Sequence, residues 1–337
     1  MSANPASPAP AAARPARRAT AHGAAPVERH CSVGRTIDVI GDGWTFMILR
    51  ECYFGIRRFD DFQQVLGLPR TTLADRLRRL TALGLLRRVP YSLAPPRQEY
   101  RLTASGIDLY PVMLALMAFG DKWLAGADGK PLQLVHRDCG QDCSAVVICS
   151  ECRRDIRPDR VSYRDGPGAG SGTVAVRRKT RRSADPTALE RRRPSSVARA
   201  LQVIGDRWSF MIIREGFFGV RRFDDLQTRL GIAPNILSDR LGRLVAEGVF
   251  RRVAYQRGPE RFEYRFSDKG KDLFGPMIAM LRWGDRWLSA GRPPLILRHA
   301  DCGRDFEPTV ACDRCRQALQ ATHMRYRMHY RDPVGGS

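Results

Sequence analysis

The chain has 337 residues, long for one globular domain, so two units of ordinary size with connecting segments are expected. Lys and Arg number 57 against 35 Asp and Glu, a formal charge of +22, which argues against acidic substrates and small neutral metabolites and for a polyanionic partner. The hydrophobic fraction of 43% supports folded cores, no apolar run reaches the roughly 20 residues of a bilayer span, and a soluble cytoplasmic protein with no membrane partner is expected.

The first 29 residues read as a disordered basic tail. Met1 to Pro26 is rich in Ala and Pro with scattered Arg, and it lacks the continuous apolar core of a secretory signal. The nine Cys fall mostly in two groups that also contain His, a pattern that favours a reducing compartment and bound metal over a secreted disulfide framework. An internal repeat organises the rest. Trp44 and Trp208 lie 164 apart (208 − 44), and the same offset relates Arg57-Arg58-Phe59-Asp60-Asp61 to Arg221-Arg222-Phe223-Asp224-Asp225 and Glu99-Tyr100-Arg101 to Glu263-Tyr264-Arg265. Near Gly126 one residue is lost, and an offset of 163 relates His136, Cys139, Cys149 and Cys152 to His299, Cys302, Cys312 and Cys315. The predicted units are therefore domains over 31–129 and 195–292, each followed by a Cys/His module, over 132–160 and 295–330. Between them, 161–194 carries a Gly-rich stretch and the run Arg177-Arg178-Lys179-Thr180-Arg181-Arg182, and reads as a flexible basic linker.

In copy one, Ile37, Ile40, Trp44, Met47, Ile48 and Cys52 recur at helical spacing around Gly41-Asp42-Gly43, giving two short helices or one bent one. Asp60, Phe62, Val65 and Leu66 predict another helix, stopped by Gly67. After a turn at Pro69, Leu73, Leu77, Leu80 and Leu83 line one side of a helix that Gly84 ends. Leu85 to Val89 and Gln98 to Leu102 then predict a hairpin, turning near Pro95-Pro96. Thr103 is expected to cap one long helix carrying Ile107, Leu109, Val112, Met113, Leu116, Met117, Phe119 and Trp123. Its apolar stripe is too wide for one small domain to cover, and the second copy is the natural cover. Trp44, Trp123, Trp208 and Trp287 read as core or interface anchors.

Ile37 to Trp44, Phe54-Gly55-Ile56-Arg57-Arg58-Phe59, Leu73 to Leu80 and Glu99 to Thr103, in this order and spacing, resemble the HxlR-type winged helix-turn-helix transcriptional regulators, and copy two matches through Val203 to Trp208 and Ala233 to Leu241. The resemblance covers about 200 residues and implies two tandem winged helix-turn-helix domains; together with the duplicated Cys/His segments, the expected fold is α+β, mainly α, each domain followed by a small zinc-ribbon-like Cys/His module. It also implies a bacterial, nucleoid-associated DNA-binding regulator. Family members usually carry one such domain and dimerise through terminal helices, so this doubled chain forms either an intramolecular pseudo-dimer or a homo-oligomer.

The residues support double-stranded DNA as partner on their own account. A helix that buries Leu73, Leu77 and Leu80 turns Arg70, Thr71, Thr72, Arg78 and Arg79 toward a major groove, while copy two offers Asn235, Ser238 and Arg243. The two halves should read different half-sites. Arg97 and Arg261, at the wing turns, would reach a phosphate or the minor groove. The competing reading is an Arg-rich face that is merely solvated. Asp75 and Asp239 are expected to pair with Arg78, Arg79 or Arg243 within the helix.

His136-x2-Cys139-x9-Cys149-x2-Cys152 and His299-x2-Cys302-x9-Cys312-x2-Cys315 each offer four ligands to one tetrahedral, structural Zn²⁺. Free thiols or labile CxxC disulfides are the alternative. Cys143 aligns with Phe306 and is a spare thiol or a competing ligand. Some relatives in the resembling family sense oxidants through an N-terminal Cys, which makes Cys31, beside Arg29 and His30, a redox candidate against a plain buried thiol. No phosphate loop, nucleophile elbow or HExxH helix is present, so no enzymatic activity is expected. The alternative function is a zinc-dependent protein-interaction or redox-sensing module with only non-specific nucleic-acid affinity.

Overall fold

A break at Gly41 sets up the first copy. In the computed structural model, which describes residues 27–330 apart from 42, 127–128, 174–192, 205 and 259, a Cβ at Gly41 would lie 2.3 Å from the Ile37 carbonyl oxygen. The chain therefore forms strand β1 (Val27–Arg29) and two separate helices, α1 (Ser32–Ile40) and α2 (Gly43–Tyr53). Helix α3 (Phe59–Leu66) ends at Gly67, the stop expected from the sequence, and its φ of 63° is the left-handed conformation of a helix C-cap. Helix α4 (Arg70–Ala82) sinks Leu73, Leu77 and Leu80 to 0% exposure, while Leu83 lies past its end and is exposed. Strands β2 (Leu86–Leu93) and β3 (Pro96–Leu102) pair antiparallel from Leu86↔Leu102 to Leu93↔Pro96 and form the wing.

The predicted single long helix is two. Thr103 caps the short α5 (Ala104–Ile107), and α6 (Tyr110–Trp123) starts afresh. Pro111 has no N–H to give the Ile107 carbonyl, and its ring would clash with that group, so the helix restarts. Ile107, placed in the apolar stripe by periodicity, is consequently exposed.

The first Cys/His module contributes β4 (Leu132–His136), β5 (Asp142–Cys143), β6 (Ala145–Cys149) and β7 (Val161–Asp165), followed by β8 (Ser171–Thr173), which pairs with β1. The flexible-linker expectation for 161–194 therefore needs correcting at both described ends, because 161–165 and 171–173 are strands and Arg193 is buried against Glu51. Its basic run, like tail residues 1–26, lies outside the described residues, and 27–29 belong to a strand.

Copy two repeats the plan with α7 (Ser196–Ile204), α8 (Arg207–Phe217), α9 (Phe223–Leu230), α10 (Pro234–Ala246), wing strands β9 (Phe250–Arg257) and β10 (Glu260–Phe266), α11 (Asp268–Asp272) and α12 (Phe274–Leu288). Its module follows as β11 (Leu295–His299), β12 (Arg304–Phe306), β13 (Pro308–Cys312) and β14 (Met324–Met328).

The copies embrace through their terminal helices. Helix α1 packs on α12, α7 on α6, and α6 on α12. The approach is close enough that a Cβ on Gly120 would sit 2.1 Å from the Ser196 carbonyl oxygen, and one on Gly284 2.5 Å from that of Ser32. Matched polar contacts ring this interface. Ser32 donates to Asp285 and Ser196 to Asp121, Arg35 to the Leu288 carbonyl and Arg199 to that of Leu124, each of the last pair at 3.2 Å. The Trp123 and Trp287 indole N–H groups donate to Asp272 and Asp108, each at 2.7 Å, as interface anchors. The wide stripe on α6 is thus covered by the other copy.

The modules are interlaced rather than consecutive. Strand β14 of copy two pairs with β4 of copy one, and β7 of copy one pairs with β11 of copy two. Strands β6 and β13 run antiparallel with Val147 facing Val310, residues that are themselves equivalent by the 163 offset (310 − 147). A pseudo-twofold axis therefore passes between them, and the separate ribbon per copy expected from the sequence is replaced by one reciprocally exchanged unit.

Candidate nucleic-acid interface and metal centres

Helices α4 and α10 occupy the recognition position of each helix-turn-helix. Burial of Leu73, Leu77 and Leu80, and of Leu237, Leu241 and Leu244, fixes which side of each helix faces out. On that side Arg70, Thr71, Arg78, Asn235 and Ser238 are exposed and Thr72 is half-buried. The Arg70 guanidinium lies 2.9 Å from Gln63 Oε1, 3.4 Å from Asp60 and 5.0 Å from the Phe59 ring centroid, so it reaches from the first turn of α4 onto α3. Arg78 is 70% exposed and 3.6 Å from Asp75, the intrahelical pair expected. Asp239 pairs with Arg240.

Two of the residues assigned to the reading face have another occupation. Arg79 Nη2 donates at 2.7 Å to the Asp38 carbonyl in the last turn of α1, and Arg243 donates to the equivalent Gln202 carbonyl of α7. A guanidinium at the carbonyl end of a helix is favourable by charge and by hydrogen bonding. Each arginine therefore ties the recognition helix to its own domain through one guanidinium nitrogen, with Arg79 half-buried and Arg243 exposed. Arg97 and Arg261 are exposed in the wings, as predicted. Sequence reasoning passed over Tyr91 and Tyr255, whose rings carry the Arg58 and Arg222 guanidinium groups at 4.7 and 4.6 Å.

All eight Cys/His residues converge, but not in the expected sets. His136, Cys139, Cys312 and Cys315 form one group and Cys149, Cys152, His299 and Cys302 the other, with the ligand atoms of each group within 4.8 Å of one another. Each group takes its His-x2-Cys from one copy and its Cys-x2-Cys from the other. This overturns the within-module assignment, and strand exchange is the reason: β4 and β11 deliver the histidines beside the opposite copy's CxxC turns.

The details match in both groups. His136 Nδ1 lies 3.2 Å from Cys315 Sγ and 3.5 Å from Cys139 Sγ, and His299 Nδ1 lies 3.3 Å from Cys152 Sγ and 3.7 Å from Cys302 Sγ. Both imidazoles are fully buried, and their Nε2 atoms have no hydrogen-bond partner among the described residues. The carboxylates of Asp138 and Asp301 stand 3.5 and 3.8 Å from those nitrogens, beyond hydrogen-bonding geometry. The shared His-x-Asp-Cys spacing was the signal that could have found them. Burial raises the Cys149 thiol to about 11; at Cys152 it is outweighed by the Arg154 backbone N–H and by His299, which bring that thiol down to about 6. Cys143 is buried within 4.8 Å of Cys312 and Asp313, beside the first group, and burial pushes it up to about 12. Cys31 is buried, 5% exposed, at the start of α1, the setting that the plain buried thiol alternative describes.

A profile of the HxlR-like helix-turn-helix family matches residues 39–128 and 203–292, more than half of the chain. The chain belongs to the HxlR-like helix-turn-helix family. Each matched segment holds one HxlR-like head, from the end of α1 or α7 to just past α6 or α12. An uncharacterized HTH-type transcriptional regulator of Mycobacterium tuberculosis (strain CDC 1551 / Oshkosh) is 46% identical over 137 residues, 41% of this chain and 87% of that protein. Another from Synechocystis sp. is 37% identical over 95 residues, 28% of this chain and 70% of the relative, and YdeP of Bacillus subtilis is 35% identical over 96 residues, 28% and 73%. No helix among the described residues is long and apolar enough to cross a membrane.

Proposed function

We propose that this HxlR-like chain is a non-enzymatic, sequence-specific DNA-binding transcriptional regulator of the bacterial cytoplasm, whose two unlike heads act together as an intramolecular pseudo-dimer on duplex DNA. The observation that carries the reading is the exposure of Arg70, Thr71 and Arg78 on α4, and of Asn235 and Ser238 on α10, over leucine faces that are fully buried. The heads differ in chemistry. Arg70 and Arg78 suit guanine or phosphate, whereas copy two has Pro234 and Gly242 at those places and offers Asn235, a side chain suited to adenine. Arg97 and Arg261 position the wings on the backbone. The names of the relatives, HTH-type transcriptional regulators, support this reading.

The two Cys3His groups fit structural Zn²⁺. Three thiols and an imidazole nitrogen fill a tetrahedral shell, and in each group it is Nδ1 that faces the sulfurs, at 3.2 and 3.5 Å for His136 and 3.3 and 3.7 Å for His299. Selection of bound sequences from a random duplex library tests the DNA reading. The expected result is a composite site of two unlike halves, bound in the presence of excess competitor. Affinity that is uniform over sequences and collapses steeply with salt would overturn it.

A further inference from the structure

The interlaced modules raise a question that the spacing of their ligands could not: which copy owns each metal. Each His-x2-Cys turn stands at the end of a strand that continues a sheet with the other copy, β4 with β14 and β11 with β7. Each CxxC turn sits at the end of β6 or β13, the pair lying across the pseudo-twofold axis. Cys149 Sγ is 3.9 Å from Cys302 Sγ, a contact between the first copy and the second. Backbone bonds seal the same junctions, the Ala300 N–H donating to the Arg160 carbonyl at 2.8 Å and the Arg137 N–H to the His323 carbonyl at 2.9 Å. Arg153 and Arg316 each donate to the other's carbonyl across the axis, at 2.7 and 3.1 Å.

We infer that the chain binds two Zn²⁺ ions as staples between its copies, one held by His136, Cys139, Cys312 and Cys315 and the other by Cys149, Cys152, His299 and Cys302. The inference rests on the zinc reading above and adds to it the exchange of ligands. Neither copy can complete a site alone, so metal binding and docking of the copies are linked: whatever separates the modules opens both shells, and filling the shells holds the modules together. The binding step is ligand exchange only. Each cysteine gives its proton to solvent as it takes up the metal, and no oxidant or reductant is involved.

Paired substitutions in the full chain test the sharing, with zinc counted after anaerobic purification and a wash in a competing chelator. Wild type should retain two zinc ions per chain. Cys149→Ser with Cys302→Ser damages one shared site and should leave one ion, whereas Cys139→Ser with Cys149→Ser damages both and should leave none. The reverse counts, none and one, would restore within-copy sites and overturn the inference, and zinc-free wild type would overturn the zinc reading itself. Should either variant fail to fold, stepwise chelation of wild type followed by alkylation and mass spectrometry decides. Cys139, Cys312 and Cys315 should be released as one set and Cys149, Cys152 and Cys302 as another. Release of Cys139 together with Cys149 and Cys152 would sink the inference.

Discussion

Arg78 and Arg79 are neighbours on one helix, yet their surroundings differ. Arg78 is 70% exposed beside Asp75, while Arg79 is tied to the end of α1. Arg78→Ala should therefore weaken binding to the selected operator by about 1 to 3 kcal/mol, and shift stability by no more than about 0.5 kcal/mol. Arg79→Ala should lose about 1 to 3 kcal/mol of unfolding free energy with its charged hydrogen bond, measurable by urea denaturation. Equal effects of the two on folding would refute this division. Both were assigned to the groove from sequence because helical phase puts them near the outward arc. Phase cannot show that a long side chain bends back to a carbonyl 41 residues earlier (79 − 38).

At the scale of elements, local signals carried far. The Gly67 cap, the leucine ladder of α4, the wing and the Thr103 cap all depend on residues close in sequence, and each lies where periodicity put it. Pro111 was equally legible as a break and was outvoted by the apolar stripe around it. Close helix approach is not written in such patterns, and Gly284 is the case in point. An added Cβ there meets the Ser32 carbonyl oxygen and Thr36 Oγ1, each at 2.5 Å, whereas at Gly242, inside α10, it meets nothing within 4 Å. Gly284→Ala should thus destabilise by about 1 to 3 kcal/mol through overpacking of α1 on α12. Gly242→Ala should stabilise by about 0.5 to 1 kcal/mol through helix propensity alone. Chemical denaturation of the pair checks both signs, and a stabilised Gly284→Ala would show that the two helices are not in contact as described.

For the whole molecule, the contact between copies also makes stability depend on pH. Burial between α12 and α1 raises the Asp285 carboxyl from 3.8 to about 6, helped by Glu307 and opposed by the Ser32 hydroxyl and Arg35. As pH climbs from about 4 to 6 the unfolded chain releases this proton while the folded chain keeps it, so this residue's contribution to stability falls across that window and stays low above it. Asp285→Asn retains an acceptor for Ser32 and cannot ionise. It should match wild type in melting temperature near pH 4 and exceed it above pH 6; an unchanged difference across the range would remove the assignment. What remained illegible at this scale was ownership. Two copies of one spacing look the same whether their ligands pair within or across, because only the path of β7 and β14 decides it. That reciprocal path has a genetic corollary. Were the halves separate polypeptides, each could find its like as readily as its counterpart, and three species would compete in every cell. Fusion in tandem instead fixes the two unlike recognition helices, α4 with Arg70 and Arg78 and α10 with Pro234 and Gly242, at one of each per chain.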